Sequence, residues 1–440
     1  MSQATASQTT SNQDAVRAVE PRWRSGYALA VIGLVSAANY YDRNLITILV
    51  EPIKRDLHLS DGQIGLLAGL GFAIMYSLLG IPMARLADRY GRARILGIVV
   101  GVWSVMTALS GSAVSFTTML LARIGVGIGE AGGLPASHAL VADYFSPARR
   151  GRALSVIGIC GGLGISLAMA GGGLINDWRG WRMAFWLAGL PGLLLAALVL
   201  FTVREPKAAR VAETTGPTVS VRQAFATLWR RRSYVWLCAG LGVAAIGAYG
   251  SMAFAPAFLM RTYHFSAGKV GTLYSAIVGP ATIISILLGG VVNDWLVSRD
   301  RRWPLWILAF SFGVNIPASL FFLMTHNFNL AMGFSLITTV TGGLWVAPSY
   351  ALVQSLAGEK LRAMAAAIFM MMVNIVGLGL GPSLTGLLSD ALTPRFGADA
   401  LMVSLSSLNL TFVVGVVCFL VATRTVTRDV ASADADELAA

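Results

Sequence analysis

Long apolar stretches alternate with short clusters of charge along almost the whole chain. Between those clusters the apolar segments fall at 27–50, 62–85, 95–113, 116–143, 153–175, 183–203, 233–260, 269–292, 304–324, 329–356, 363–389 and 400–423. A helix needs about 20 residues to cross a hydrocarbon layer roughly 30 Å thick, and these runs meet that length. The pattern therefore predicts an all-α membrane protein of twelve transmembrane helices. The longest polar stretch, 204–232, divides them six and six: a tail at 1–26, a six-helix bundle at 27–203, a linker at 204–232, a second bundle at 233–423 and a tail at 424–440.

Basic residues sort by side. The N-terminus, the even-numbered loops and the C-terminus hold 24 Lys and Arg, the odd-numbered loops hold 7, and two arginines lie within spans. Lys and Arg accumulate in short cytoplasmic loops, so both termini and the linker are expected in the cytoplasm of a bacterial cell, with the chain in its inner membrane. Composition agrees: only 12% of the 440 residues are charged, about half the usual soluble share of roughly 25%. The net charge of +12 then reads as topogenic, and nucleic acid is not an expected partner. Forty-eight glycines suit close helix packing, where no hydrophobic force drives helices together. Cys160, Cys238 and Cys418 lie in apolar runs without disulfide or zinc spacing. His58, His264 and His326 offer no metal-ligand spacing, and neither metal nor cofactor is expected. Residues 1–21 lack the features of a signal peptide.

The two halves resemble each other. Ser137-His138-Ala139-Leu140-Val141 matches Ser349-Tyr350-Ala351-Leu352-Val353, and Arg150 matches Arg362, at an offset of 212; Asp88 and Asp294, each followed by a basic loop, recur at an offset of 206. An even number of helices intervenes, so the repeats run parallel, as in transporters whose halves rock around a midplane site. One pathway between two halves of one chain predicts a functional monomer.

Four charges fall inside spans. Asp42 and Arg43 lie in the first, Arg123 and Glu130 in the fourth, where each charge costs about 2.5–3.5 kcal/mol even on the lenient insertion scale. They must face protein or water. Arg123 and Glu130 are seven apart, close to two helical turns, and share a face; Asn39 and Arg43 share one on the first helix. If those faces oppose each other, Asp42 can pair with Arg123, or Glu130 with Arg43. Structural ion pairs locking the helices are one reading. In the other, Asp42 and Glu130 carry protons, because burial and arginines push their ionisation in opposite directions, and Arg43 and Arg123 attract an anionic head group. His138 reads as a hydrogen-bonded core histidine rather than a relay.

The segment Ala84-Arg85-Leu86-Ala87-Asp88-Arg89-Tyr90-Gly91-Arg92-Ala93-Arg94 resembles the signature loop of the major facilitator superfamily, with Ala84 where the family favours glycine and Ala93 where it favours a base. Within that superfamily, Asn39-Tyr40-Tyr41-Asp42-Arg43 and Arg123-Ile124-Gly125-Val126-Gly127-Ile128-Gly129-Glu130-Ala131 are similar to first- and fourth-helix motifs of Spinster-like transporters. The resemblance implies alternating access, a cytoplasmic gate at Asp88 with Arg89 and Arg92, and a weaker second copy at Asp294. Asn39, Tyr41, Arg43 and Arg123 offer a polar wall. Trp345, Phe369, Met370 and Asn374 in the other half offer an apolar and aromatic one. That division suits an amphiphile, and the resemblance implies lysolipids, sphingoid phosphates or other organic amphiphiles, exported against protons across surrounding membrane lipid. A drug or organic-anion transporter with Asp42, Glu130 and Arg123 as structural ion pairs remains open, as does a channel or receptor. No enzyme motif is present.

Overall fold

The computed structural model describes residues 22–205, 221–358 and 361–438. Among these residues every regular element is helical and no strand occurs. Nine helices are long and apolar enough to cross a membrane, and one of them, Met364–Ala422, has 59 residues, enough for two crossings. The first and fourth crossings, which carry the interior charges, are not among the nine. Adding these two and dividing the long helix accounts for twelve.

In order, the crossings are Arg22–Ile48 with its extension Val50–Asp56; Asp61–Tyr90; Arg92–Ser110; Phe116–Glu130 with Gly133–Tyr144; Pro147–Arg179; Trp181–Thr202; Arg232–Tyr263; Ala267–Val297; Trp303–Met324; Phe328–Gly342 with Val346–Ala357; Arg362–Met372 with Val373–Leu380 and Gly381–Phe396; and Ala400–Ser407 with Asn409–Ala422. Local chemistry sets several ends. Ser60 and Ser115 each close a capping box at the start of the second and fourth crossings, satisfying amide groups that a helix start leaves bare. Gly91 and Gly180, at φ 104° and 83°, allow turns between crossings in a conformation that side chains disfavour. The fourth and tenth crossings break at matching places, after Glu130 and after Gly342, 212 residues apart.

Three differences from the sequence expectation stand out. The linker, read from sequence only as a polar stretch from 204 to 232, contains the helix Val221–Arg230, which sets Leu228 into the core and leaves Phe225 and Trp229 exposed. The tail after 424 forms the helix Val426–Leu438, because Val426, Val430 and Ala433 bury an apolar stripe. Several helices, such as Pro147–Arg179 against the expected 153–175, run beyond their hydrophobic limits into charged turns. The centre of the linker and residues 1–21 of the N-terminal tail lie outside the described residues, and the rest of that tail, from Arg22, already belongs to the first helix.

The cores show how the halves meet. One buried cluster belongs to the N-terminal half almost entirely, built around Trp103, Leu140 and Val199. A second, around Leu237, Leu356 and Phe419, belongs to the C-terminal half. The third joins both, linking Ile48, Leu67 and Phe185 to Phe254, Val270 and Leu405. It lies towards the odd-numbered loops, the side opposite the termini. Backbone contact follows the same gradient: a Cβ on Gly173 or Gly271 would meet carbonyls of the other half, whereas one on Gly162 would find Ile283 at 3.6 Å and one on Gly158 nothing within 4 Å. The molecule is thus closed opposite the termini and parted on the terminal side.

Helix packing in the N-terminal half depends on Gly129, where a Cβ would lie 2.6 Å from the amide nitrogen of Trp103. Gly129→Ala is expected to cost about 1–3 kcal/mol through overpacking. Gly313→Ala, with nothing within 4 Å, should be neutral or slightly stabilising through helix propensity. Thermal melting of the two variants in detergent provides the check.

Candidate functional site

The four interior charges come together where the fourth crossing breaks. Arg43 donates to Glu130 Oε2 from Nε at 3.1 Å and from Nη2 at 2.8 Å. Glu130 is fully buried, while the Arg43 side chain is 18% exposed, so the cation of this pair keeps some access to solvent and the anion has none. Asp42 turns away from Arg43 and accepts a 3.2 Å hydrogen bond from Thr107. It remains within electrostatic reach of Glu130 and Arg123. Arg123 is 1% exposed, and its Nε and Nη1, like Glu130 Oε1, have no hydrogen-bond partner. Of the two pairings the sequence allowed, the structure forms Glu130 with Arg43 and does not form Asp42 with Arg123.

Aromatic rings complete the arrangement. The Arg43 guanidinium lies 4.5 Å from the Tyr76 ring centre, 5.0 Å from Phe72 and 5.6 Å from Tyr40, and Arg123 lies 5.5 Å from the same Phe72 ring. Such contacts strengthen when desolvated, and they hold both guanidiniums against one face of the second crossing. From the other half, Tyr249 comes within electrostatic reach of Arg43, Tyr40 and Tyr76, and Tyr350 within reach of Tyr249, Tyr40 and Tyr76. All four tyrosines are half-buried. Tyr249 packs against the cores of both halves. None of Phe72, Tyr76, Thr107, Tyr249 or Tyr350 was singled out as a site residue from sequence. The signal for Tyr350 was its place in the repeat, and for Tyr40 its place in the first-helix motif.

The remaining candidates separate. Asn39 lies beside Glu130. Tyr41 faces the fifth crossing, its hydroxyl 3.7 Å from the place of a Cβ on Gly171. A cavity of about 340 Å³ opens mainly in the C-terminal half, closed on one side by Ile165 and Met169 of the fifth crossing and lined mostly by apolar side chains such as Phe312, Phe322 and Met252, with Asn315, Ser319 and Thr338 among its polar groups; Trp345 contributes to its wall. Phe369 does not. It is fully buried behind Tyr350, ring centres 5.9 Å apart and nearly perpendicular. Met370 packs half-buried in the same core, and Asn374 sits half-buried on the π-helical turn Val373–Leu380; neither lines the cavity. His138, expected in the core, is exposed.

At the terminal side Asp88 accepts from Arg92 at 3.0 Å, and Arg92 also clasps Asp143 at 2.5 and 2.6 Å. These partners all belong to the N-terminal half. Arg89 leans over Tyr90 at 5.3 Å. Asp294 meets its neighbour Asn293 at 3.4 Å. Among the described residues no hydrogen bond or ion pair joins the halves on this side.

Twelve helices in two parallel halves, with a charged cluster buried in the first half and tyrosines of the second beside it, have the architecture of a membrane transporter. The model of the Major Facilitator Superfamily matches residues 32–382, and the chain belongs to that family. It is 38% identical to an MFS-type efflux pump of Mycolicibacterium smegmatis over 92% of this chain and 94% of that one. It is 26% identical to Protein spinster of Drosophila melanogaster over 66% of this chain and 49% of that protein. A solved bacterial homologue of the human lysosomal transporter Spinster, inward-facing and unoccupied, superposes with a TM-score of 0.85 at 26% identity, covering 93% of this chain and 99% of the other. The chain is therefore a Spinster-like multi-pass transporter and not an enzyme.

Removing one member of the buried pair should cost more than removing both. Arg43→Met leaves Glu130 uncompensated and is expected to destabilise by about 3–5 kcal/mol, whereas Arg43→Met with Glu130→Gln should recover most of that loss. Melting temperatures of the two single variants and the double variant test this.

Proposed function

We propose that the chain is a proton-coupled exporter of single-chain amphiphiles, working by alternating access across a bacterial inner membrane with both termini cytoplasmic. The observation that carries this reading is the asymmetry of the buried pair: Arg43 stays partly exposed among tyrosines of both halves while Glu130 is dry. The partly open Arg43 and the ring of Tyr40, Tyr76, Tyr249 and Tyr350 suit a head group with both charges, its anion on the guanidinium and its ammonium against tyrosine faces. The mainly apolar cavity, most of it in the C-terminal half, suits the chain.

Glu130 and Asp42 are the proton carriers in this reading, since arginine keeps its charge at any physiological pH. With both carboxylates ionised, an ammonium head is held by charge as well as by the tyrosines. Protons arriving from the far side neutralise the acids, loosen the head and release Arg43 from Glu130. Inward proton flow then drives export. A purely anionic substrate would behave oppositely, competing with Glu130 for Arg43 and gaining from protonation, which gives co-transport. The partial exposure of Arg43 is common to both readings; the tyrosines around it, which suit an ammonium, favour the first. The alternative in which these charges are only structural predicts no coupling at all.

Vesicles containing purified protein and an imposed pH gradient distinguish the three. A zwitterionic lysophospholipid should move against the proton gradient, a fatty-acid anion with it, and a structural pair should leave flux unchanged by pH. Glu130→Gln is expected to abolish gradient-driven flux while leaving exchange of substrate, and unchanged pH dependence in that variant would show that Glu130 does not couple.

Asp88 belongs to the opposite half of the cycle. When the terminal side closes, its carboxylate is proposed to accept hydrogen bonds from the other half, with Arg89, Arg92 and Asp294 around it. Asp88→Asn should preserve substrate binding, lower turnover several-fold and shift cysteine labelling towards the terminal-side-open form.

A further inference from the structure

Two seams close the molecule opposite the termini, and they are copies of one another. In the first, the second crossing lies on the eleventh. The place of a Cβ on Gly65 is filled by the carbonyl of Pro382, and that of Gly386 by the carbonyl of Asp61. Asp390 accepts from the amides of Asp61 at 3.0 Å and Gly62 at 2.7 Å. In the second, the eighth crossing lies on the fifth. There Gly271 meets the carbonyl of Met169, Gly173 meets the carbonyl of Ala267, and Asp177 accepts from the amide of Gly268 at 3.0 Å.

The correspondence is positional. Asp61, Gly62 and Gly65 precede Ala267, Gly268 and Gly271 by 206 residues, and Met169, Gly173 and Asp177 precede Pro382, Gly386 and Asp390 by 213. Each seam therefore has two glycines that admit a backbone carbonyl from the other half, and one aspartate that reaches across to a helix N-terminus. Bare amides and the positive end of the helix dipole favour a carboxylate there. The aspartate always comes from one half and the helix from the other, so opening this side must break both contacts.

We infer that Asp177 and Asp390 are a symmetry-related pair of latches that set the balance between the two access states of the transporter. They are positioning residues and touch neither the buried charges nor the cavity. Water replaces each carboxylate when the side opens, so each latch biases the equilibrium without trapping it. The seams differ in reinforcement. Asp61 also binds Arg261 at 2.6 and 2.8 Å, Lys54 at 2.5 Å and Ser389 at 2.7 Å, and Arg261 holds Glu51 at 2.6 Å. Its counterpart Ala267 has no charge to offer, and the seam between the fifth and eighth crossings keeps Asp177 as its one carboxylate latch.

The inference rests on alternating access for its meaning in the cycle, but its readout is a distance taken without substrate or proton gradient, so the two can fail separately. Spin labels at Val114→Cys and His326→Cys, exposed positions in the third and ninth loops, report the separation of the halves in full-length protein in lipid nanodiscs, with Cys160, Cys238 and Cys418 replaced. Asp177→Ala and Asp390→Ala should each raise the ratio of long to short distances by roughly 2- to 30-fold, the range of a lost helix cap, and the Asn variants by less. Gly271→Ala, which pushes on a backbone carbonyl, should also lengthen the distance. If an alanine variant does not fold, its asparagine partner carries the test. An unchanged distribution in the folded variants of either aspartate would overturn the paired-latch assignment.

Discussion

A hydrocarbon layer offers no partner to a charge, and the placement of Asp42, Arg43, Arg123 and Glu130 follows from that constraint. None can face lipid, so the first and fourth crossings must turn these faces inward. Once inside, the cations need carboxylates, rings or water. Arg43 takes Glu130 and three aromatic rings; Arg123 takes the shared face of Phe72. The helix carrying Glu130 breaks immediately after it, which places the carboxylate at the end of a helical segment, where a nearby cation is favoured. Fold and site are therefore fixed by one requirement.

The same requirement explains why the molecule can part without losing its core. Each half buries a cluster of its own on the terminal side, so separation there exposes a vestibule rather than a torn interior. The shared cluster near the odd-numbered loops, with its glycine seams, supplies the joint. Beside the apolar side chains of that cluster, the contacts of the seams are polar at the rim and backbone to backbone beneath it. Such contacts can exchange for water one group at a time, unlike interdigitated side chains, whose packing leaves few intermediate arrangements.

Much of this was legible in the sequence because it depends on quantities summed along the chain. Hydropathy located the crossings, basic residues distinguished the loops, and the cost of a buried charge marked Asp42, Arg43, Arg123 and Glu130. What was not legible depends on helix rotation. The eleventh crossing is apolar nearly all round, so nothing in its pattern tells Phe369, packed behind Tyr350, from a residue facing the cavity. His138 was misread for the same reason, since spacing from Glu130 alone does not say which face of the crossing is covered. The seams escaped notice because Met169, Gly173 and Asp177 are spaced by four, and so are Pro382, Gly386 and Asp390, without changing hydropathy. Linker and tail helices were missed because their apolar stripes are short and set among charges.

The charge arithmetic of the site carries one further consequence. Two acids and two bases balance, yet only one direct ion pair is formed; Asp42 is left to Thr107, and Arg123 keeps two nitrogens without hydrogen-bond partners. A purely structural cluster gains most by closing every pair, because an unmade bond at this depth costs the full desolvation of the group. A cluster that must exchange partners gains by holding one acid and one base in reserve, provided their distances still let them feel each other. Asp42 lies within electrostatic reach of both Arg123 and Glu130, which couples the two carboxylates to each other and to the fixed charge of the arginine. The incomplete pairing around Arg123 is what the proposed coupling would need of a cluster that exchanges partners.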